Sequence, residues 1–205
     1  MNILGIDTTK KQALIFGVLN DNKVVHELQS YEKHSEHLLE HIEEVLSNNG
    51  LKVKDIDVFA NISGPGSFTG IRIGLTTIKA LNFPFNKKII NISVFDALKN
   101  VIKNGLLLLE CTSTSVYFCE FLSGKVKKYG VWNLTDIPEN VEEQEIFVLK
   151  QEQIQLSNSY KVNVIENYSE HVLQAIVNEV GSGNFCDNCV PFYIALSQAE
   201  KKLVS

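Results

Sequence analysis

No apolar run in this 205-residue sequence approaches the roughly 18 residues that cross a bilayer, so no membrane-spanning helix is expected. The opening Met1-Asn2-Ile3-Leu4-Gly5-Ile6-Asp7 has neither the basic patch nor the apolar stretch of a secretory signal, and the expectation is a cytoplasmic protein. A cationic track is missing as well. The formal net charge is −5 and the lysines are scattered in pairs such as Lys87-Lys88, Lys127-Lys128 and Lys201-Lys202, which argues against tight, direct binding of a nucleic-acid backbone. Low-complexity segments are absent, and with 44% hydrophobic and 21% charged residues the chain can bury one large core or two small ones.

Cysteines are few, at 111, 119, 186 and 189, and only Cys186-Asp187-Asn188-Cys189 has a spacing that invites chemistry. A zinc ribbon needs a second pair, and a redox site needs a helix starting after the first thiol. The favoured reading is a loop carrying two inert thiols.

The first lobe is legible from its periodicities. Asn2 to Asp7, Gln12 to Leu19 and Lys23 to Ser30 read as strands, with Asn20-Asp21-Asn22 as a tight turn and hence an antiparallel meander. Leu38, Leu39, Ile42, Val45 and Leu46 form the apolar stripe of a helix from about Ser35 to Ser47. A short strand over Asp57 to Ser63 and a helix from about Ser67 to Asn82 complete a strand, strand, strand, helix, strand, helix order, which is that of a ribonuclease-H-like lobe.

Sliding the sequence by about 100 positions repeats the beginning. Leu106-Leu107-Leu108-Leu109-Glu110 falls under Ile3-Leu4-Gly5-Ile6-Asp7, and Val116 to Leu122 under Ala13 to Leu19. The expected fold is therefore α/β, with two ribonuclease-H-like lobes of the actin-like superfamily and mixed sheets flanked by helices. The expected division is 1–100 for the first lobe, with 191–205 packing back on it, and 101–190 for a smaller second lobe. In that lobe Glu145 to Lys150 and Lys161 to Ile165 read as strands and Ser169 to Val180 as a helix.

Gly64-Pro65-Gly66 makes a tight turn, Ser67 caps the helix that follows, and Gly70 and Gly74 fall on one face of it. Two helical glycines cost about 1 kcal/mol each relative to alanine, so something must approach that face closely. Spacing does not tell whether the approaching surface belongs to this chain or to a partner. The expectation is that Gly74→Leu blocks pairing and leaves the monomer folded, with an unfolded variant placing the glycine face inside the subunit. The turn is not a phosphate loop of the Walker type, because no Gly-Lys-Ser/Thr follows it.

The run Gly64-Pro65-Gly66-Ser67-Phe68-Thr69-Gly70-Ile71-Arg72-Ile73-Gly74-Leu75 resembles the hallmark of the TsaB (YeaZ) family. Ile6-Asp7-Thr8-Thr9, His34-Ser35-Glu36 with Leu38-Leu39, and Pro191-Phe192-Tyr193-Ile194 match further landmarks in order. The resemblance implies a non-catalytic subunit for N6-threonylcarbamoyladenosine modification of tRNA. It would bind a TsaD-type catalytic paralogue and, through it, a TsaE-type ATPase, would form homodimers when alone, and would meet tRNA only indirectly. It also implies a partner face on the two helices of the first lobe, with Glu36, His37, Glu40, His41, Glu44, Phe68, Thr69, Ile71, Arg72, Leu75 and Lys79 at or near the contact. The sequence departs from the family pattern at Glu110-Cys111-Thr112, after Val148-Leu149-Lys150-Gln151 and at Tyr193-Ile194-Ala195, where two arginines are replaced.

Two enzymatic alternatives arise. His34, His37 and His41 with Glu44 share one arc of the first helix, which suits a glycoprotease-type metallopeptidase. The arc lies opposite the leucine stripe, and the favoured reading is a polar face open to water or a partner. The family resemblance agrees, since Ser93 and Ala97 stand where TsaD carries its metal ligands, and no metal is expected. A small ATPase or kinase of the actin-like fold would clamp phosphates with glycine-containing loops after the first strand of each lobe. Asp7-Thr8-Thr9-Lys10-Lys11 and Glu110-Cys111-Thr112-Ser113-Thr114 contain none. Asp7, Thr8 and Thr9 then mark a vestigial nucleotide site. No cofactor is expected, save a nucleotide at an interface that a partner completes.

Overall fold

The computed structural model describes residues 1–28, 34–138, 141, 144–152, 154, 156 and 160–195, and of residues 34–36 the backbone alone. The first sheet is built from β1 (Ile3–Asp7), β2 (Ala13–Leu19), β3 (Asn22–Leu28), β4 (Val58–Ile62) and β5 (Lys88–Ile92), in the order β3-β2-β1-β4-β5. The meander β1-β2-β3 is antiparallel, whereas β4 pairs parallel with both β1 and β5. Parallel neighbours need a crossover, and helices α1 (His34–Asn48) and α2 (Phe68–Asn82) supply the connections into β4 and β5. β1 and β4 are buried along their whole length, as strands at the centre of a covered sheet must be.

The second sheet comprises β6 (Gly105–Thr112), β7 (Ser115–Leu122), β8 (Lys125–Asn133), β9 (Ile146–Leu149) and β10 (Val162–Ile165), in the order β10-β9-β6-β7-β8. Read from β8, this is the order of the first sheet, with the same antiparallel meander and parallel continuation. The repeat expected from the sequence is thus a repeat of topology. It is not a copy in register: Ile3 faces Val18, whereas Leu106 faces Glu120, and β6 carries a bulge between Glu110 and Thr112. Among the described residues, the second sheet has only a short 3-10 turn (Leu134–Asp136) where the first has α1.

Two cores result. Leu4, Ile6, Ile15, Leu38, Ile42, Leu46, Phe59 and Ile78 join α1, α2 and the first sheet, while Leu106, Leu108, Val116, Phe118 and Ile146 centre the second. On the second sheet, Phe118 stacks on Trp132 at 3.8 Å between ring centroids, inside the range where aromatic pairs add to area burial. α3 (Val94–Leu98) and α4 (Tyr168–Gly181) complete the elements.

The chain divides into two compact units, Met1–Val94 with Val172–Phe192, and Phe95–His171 with the chain from Tyr193. The boundary expected near residue 100 falls a few residues earlier. The larger difference is that most of α4 groups with the first unit although it follows the second sheet in sequence. Of the segment expected to pack back on the first lobe, Phe192 does so through its N–H to the Ser63 carbonyl (2.8 Å), and residues 196–205 lie outside the described residues.

Candidate functional site

The loop after β1 and the start of α2 form one buried polar knot. Asp7 accepts hydrogen bonds from the Thr9 N–H (2.8 Å) and the Thr9 hydroxyl (2.6 Å), which folds the loop back on itself as an Asx turn. Thr8 donates its hydroxyl to the Gly70 carbonyl (2.6 Å), and the Ser67 N–H donates to the Thr9 carbonyl (2.8 Å). Ser67 in turn accepts from the Gly70 N–H (3.2 Å), the N-cap expected from the sequence. Asp7, Thr8, Thr9 and Lys10 are all buried.

This knot identifies what approaches the glycine face. A Cβ at Gly70 would collide with the Thr8 carbonyl oxygen and one at Gly66 with the Thr9 carbonyl oxygen. At Gly74 it would lie 2.5 Å from Thr8 Oγ1 and 2.8 Å from Asn61 Oδ1. The approaching surface is the chain's own β1–β2 loop, and the weight placed on a partner at Gly70 and Gly74 is corrected accordingly. Gly64, joined to Pro65 by a cis peptide, has φ +123°, and a Cβ there would come within 2.5 Å of the Phe192 carbonyl oxygen. Its carbonyl accepts from the Val94 N–H (2.8 Å), and Ser63 donates its N–H to Ile92. The separate landmarks near residues 7, 64 and 192 are therefore parts of one contact.

The backbone of α2 stands against the loop that would carry a phosphate in a nucleotide-binding relative, and Asp7 is engaged in its own turn. Asn61, fully buried, donates its amide to Asn91 Oδ1 (2.8 Å), and Asn91 donates to the Val190 carbonyl (2.9 Å). This pair was not singled out from the sequence; a polar residue inside the all-buried strand Val58–Ile62 was its only signal. Ser93 and Ala97 are buried at the start of and within α3, and neither side chain is a ligand for iron or zinc.

The helix faces assigned to a partner separate into two groups. Thr69, Arg72 and Lys79 are exposed on α2, and the Arg72 guanidinium lies 4.1 Å from the centroid of the half-buried Phe68 ring. Ile71 and Leu75 are only 1% and 6% exposed, so both belong to the subunit's interior and are corrected from contact residues to core. On α1, His37, Glu40 and Glu44 are exposed and His41 is half-buried; the side chain of Glu36 lies outside the described residues. Leu39 departs from the leucine stripe and is 56% exposed. With Ile42, Leu46, Leu51, Leu81 and Phe85 it lines a groove of about 900 Å³, and Phe83 stands exposed at the end of α2.

Of the three histidines expected together with Glu44, the structure keeps only His41. His37 Nδ1 meets Glu40 Oε2 at 2.8 Å, while His41 lies beside His26 of β3 and Glu44. His26 was missed because it sits in another element; its parity with the inward-facing Val24 and Leu28 was the available signal.

All four cysteines are free, and Cys186 and Cys189 lie in irregular chain after α4 with no helix starting between them. Burial, then the hydrogen bond and charge of Cys186, pushes the Cys189 thiol up to about 12. Burial, then Asp96 and Glu120, does the same to Cys119, also to about 12. Both should resist alkylation at pH 8 in the native protein, with the half-buried Cys111 and Cys186 labelled first and the other two only on unfolding; mass spectrometry of a labelling time course checks this. Because the fold holds protons that unfolded thiols release near 9, their contribution to stability is complete below about pH 9. It is lost as pH rises from there through about 12.

Two sheets of one order, each a meander continued by parallel strands, place the protein in the two-lobed, ribonuclease-H-like class of actin-like architecture. A family model described as TsaD, tRNA N6-adenosine threonylcarbamoyltransferase, matches residues 24–130, more than half of the chain, and the chain belongs to that family. Its curated relatives include the tRNA threonylcarbamoyladenosine biosynthesis protein TsaB of Haemophilus influenzae, 28% identical over 134 residues, 62% of this chain and 56% of that protein. TsaB of Escherichia coli is 28% identical over 140 residues, 65% of this chain and 59% of that protein. The chain thus matches less than two thirds of the length of these relatives. The solved structure of YeaZ from Pseudomonas aeruginosa superposes with a TM-score of 0.69 at 16% identity, covering 94% of this chain and 99% of that one, a likeness of fold.

Proposed function

We propose that the chain is a non-catalytic partner subunit for N6-threonylcarbamoyl modification of adenosine 37 in tRNA, which binds and stabilises a TsaD-type catalytic paralogue. The observation that carries this reading is the surface of the α1–α2 pair. It sets the cations Arg72 and Lys79 on one helix and the acids Glu40, Glu43 and Glu44 on the other, around the exposed apolar Leu39 and Phe83. A face with charges of both signs and uncovered apolar side chains suits a helix pair of similar build, either a paralogue or a second copy of this chain. The names of the curated relatives supply the pathway. Engagement of a TsaE-type ATPase follows through the paralogue, and tRNA is met indirectly, in keeping with the net charge of −5.

Reconstitution tests the proposal. Purified paralogue, TsaE-type ATPase, activated threonylcarbamoyl donor and tRNA should give modified tRNA when this chain is present and little or none without it. Equal product in both reactions overturns the reading.

A further inference from the structure

The geometry points to a divalent transition-metal site, of the zinc class, formed by His26 on β3 with His41 and Glu44 on α1. Their ligand atoms all lie within 4.8 Å of one another. A metal bound tetrahedrally at the usual 2.0–2.1 Å sets its ligand atoms about 3.3 Å apart. Two edges of the triangle already have that length: His26 Nε2 lies 3.4 Å from His41 Nδ1, and His41 Nδ1 lies 3.5 Å from Glu44 Oε2. Only the His26 to Glu44 edge needs to shorten, and Glu44 is 58% exposed and able to swing.

The fold explains why the three meet. His26 shares the inward face of β3 with Val24 and Leu28, which pack into the core that α1 covers. His41 sits between the core residues Leu38, Ile42 and Val45 on the helix, and Glu44 follows one turn later. His26 Nε2 and His41 Nδ1 face each other with ring centroids 5.3 Å apart. Two imidazoles and one carboxylate form a ligand set that zinc accepts, and a fourth position is left to water. Occupancy ties the middle of α1 to the edge strand of the sheet. His37 is not part of the site, since its Nδ1 meets Glu40. The site differs from the family positions at Ser93 and Ala97, and it is measured on the isolated chain, so its failure leaves the proposed pairing untouched.

The test uses the tag-free, demetallated chain titrated with Zn²⁺ and with Co²⁺. The expected result is one ion per chain at micromolar or tighter affinity, a visible Co²⁺ spectrum of tetrahedral type, and a rise in melting temperature with metal. His26→Ala and His41→Ala should each weaken binding by about 100-fold or more, Glu44→Gln by about 10-fold, and His37→Ala should leave it unchanged. Circular dichroism of the metal-free variants checks their folds, and the exposed Glu44→Gln serves if either histidine variant does not fold. Absence of saturable binding overturns the site and leaves the 3.4 Å contact as an imidazole hydrogen bond. So does binding that survives His26→Ala and Glu44→Gln, or binding lost on His37→Ala.

Discussion

Gly70→Ala should destabilise the protein by about 3 kcal/mol, lowering the melting temperature by roughly 6–12 °C, although the substitution improves helix propensity. On propensity alone alanine gains about 1 kcal/mol in a helix interior. The opposing effect is steric and larger, because the new Cβ would collide with the Thr8 carbonyl oxygen, a backbone atom that cannot rotate away. To make room, α2 must draw back from the loop, and the Thr8 hydroxyl then loses its 2.6 Å bond to the Gly70 carbonyl. The Ser67 N–H bond to Thr9 lies on the same path. Gly74→Leu is expected to be worse, since its side chain would enter the space of Thr8 Oγ1 and of Asn61, a fully buried amide. The sequence reading expected that variant to block pairing and leave the monomer folded. Placement of the glycine face inside the subunit reverses this, and Gly74→Leu should fail to give a folded monomer at all. Urea denaturation of the two variants beside the parent decides the matter, and a Gly70→Ala chain at least as stable as the parent would refute the packing.

The first lobe was legible because its elements announce themselves locally. Alternating and continuous apolar runs, an Asn-Asp-Asn turn and a leucine stripe are each complete within about 15 residues, and the observed bounds of α1 and α2 differ from the expected ones by a residue or so. The duplication was readable for the same reason, since two meanders leave two copies of one local pattern. What stayed hidden depends on contacts distant in sequence. Gly70 and Gly74 advertise a close approach but not its owner, and the owner, Thr8, lies some 60 residues earlier. Leu39 fits the stripe by spacing, yet the helix turns it toward the groove near Leu81 and Phe85. His26 gains its meaning only from His41 across the sheet edge, and α4 groups with the first unit although it follows the second sheet. Periodicity reports which face of an element is apolar. It does not report what covers that face.

Adjacent residues of α2 make the sharpest test of the proposed partner face. Ile71→Glu places a carboxylate where the native side chain is 1% exposed, with no cation built to receive it, and a cost on the order of 3–5 kcal/mol should unfold much of the protein. Arg72→Glu, one position on, should leave the fold within about 1 kcal/mol of the parent, the loss being mainly that of the guanidinium over the Phe68 ring. Its effect belongs to pairing. Reversing a charge at the centre of an exposed strip that also carries Thr69 and Lys79 should weaken binding of the catalytic paralogue by on the order of 100-fold, and more steeply at low salt. Calorimetric titration against the paralogue, with thermal melts of each chain, separates the two effects. If Arg72→Glu binds as the parent does, the face assigned here is wrong. If Ile71→Glu stays folded and loses only pairing, Ile71 belongs at the contact after all, and the α2 surface must open when the partner arrives.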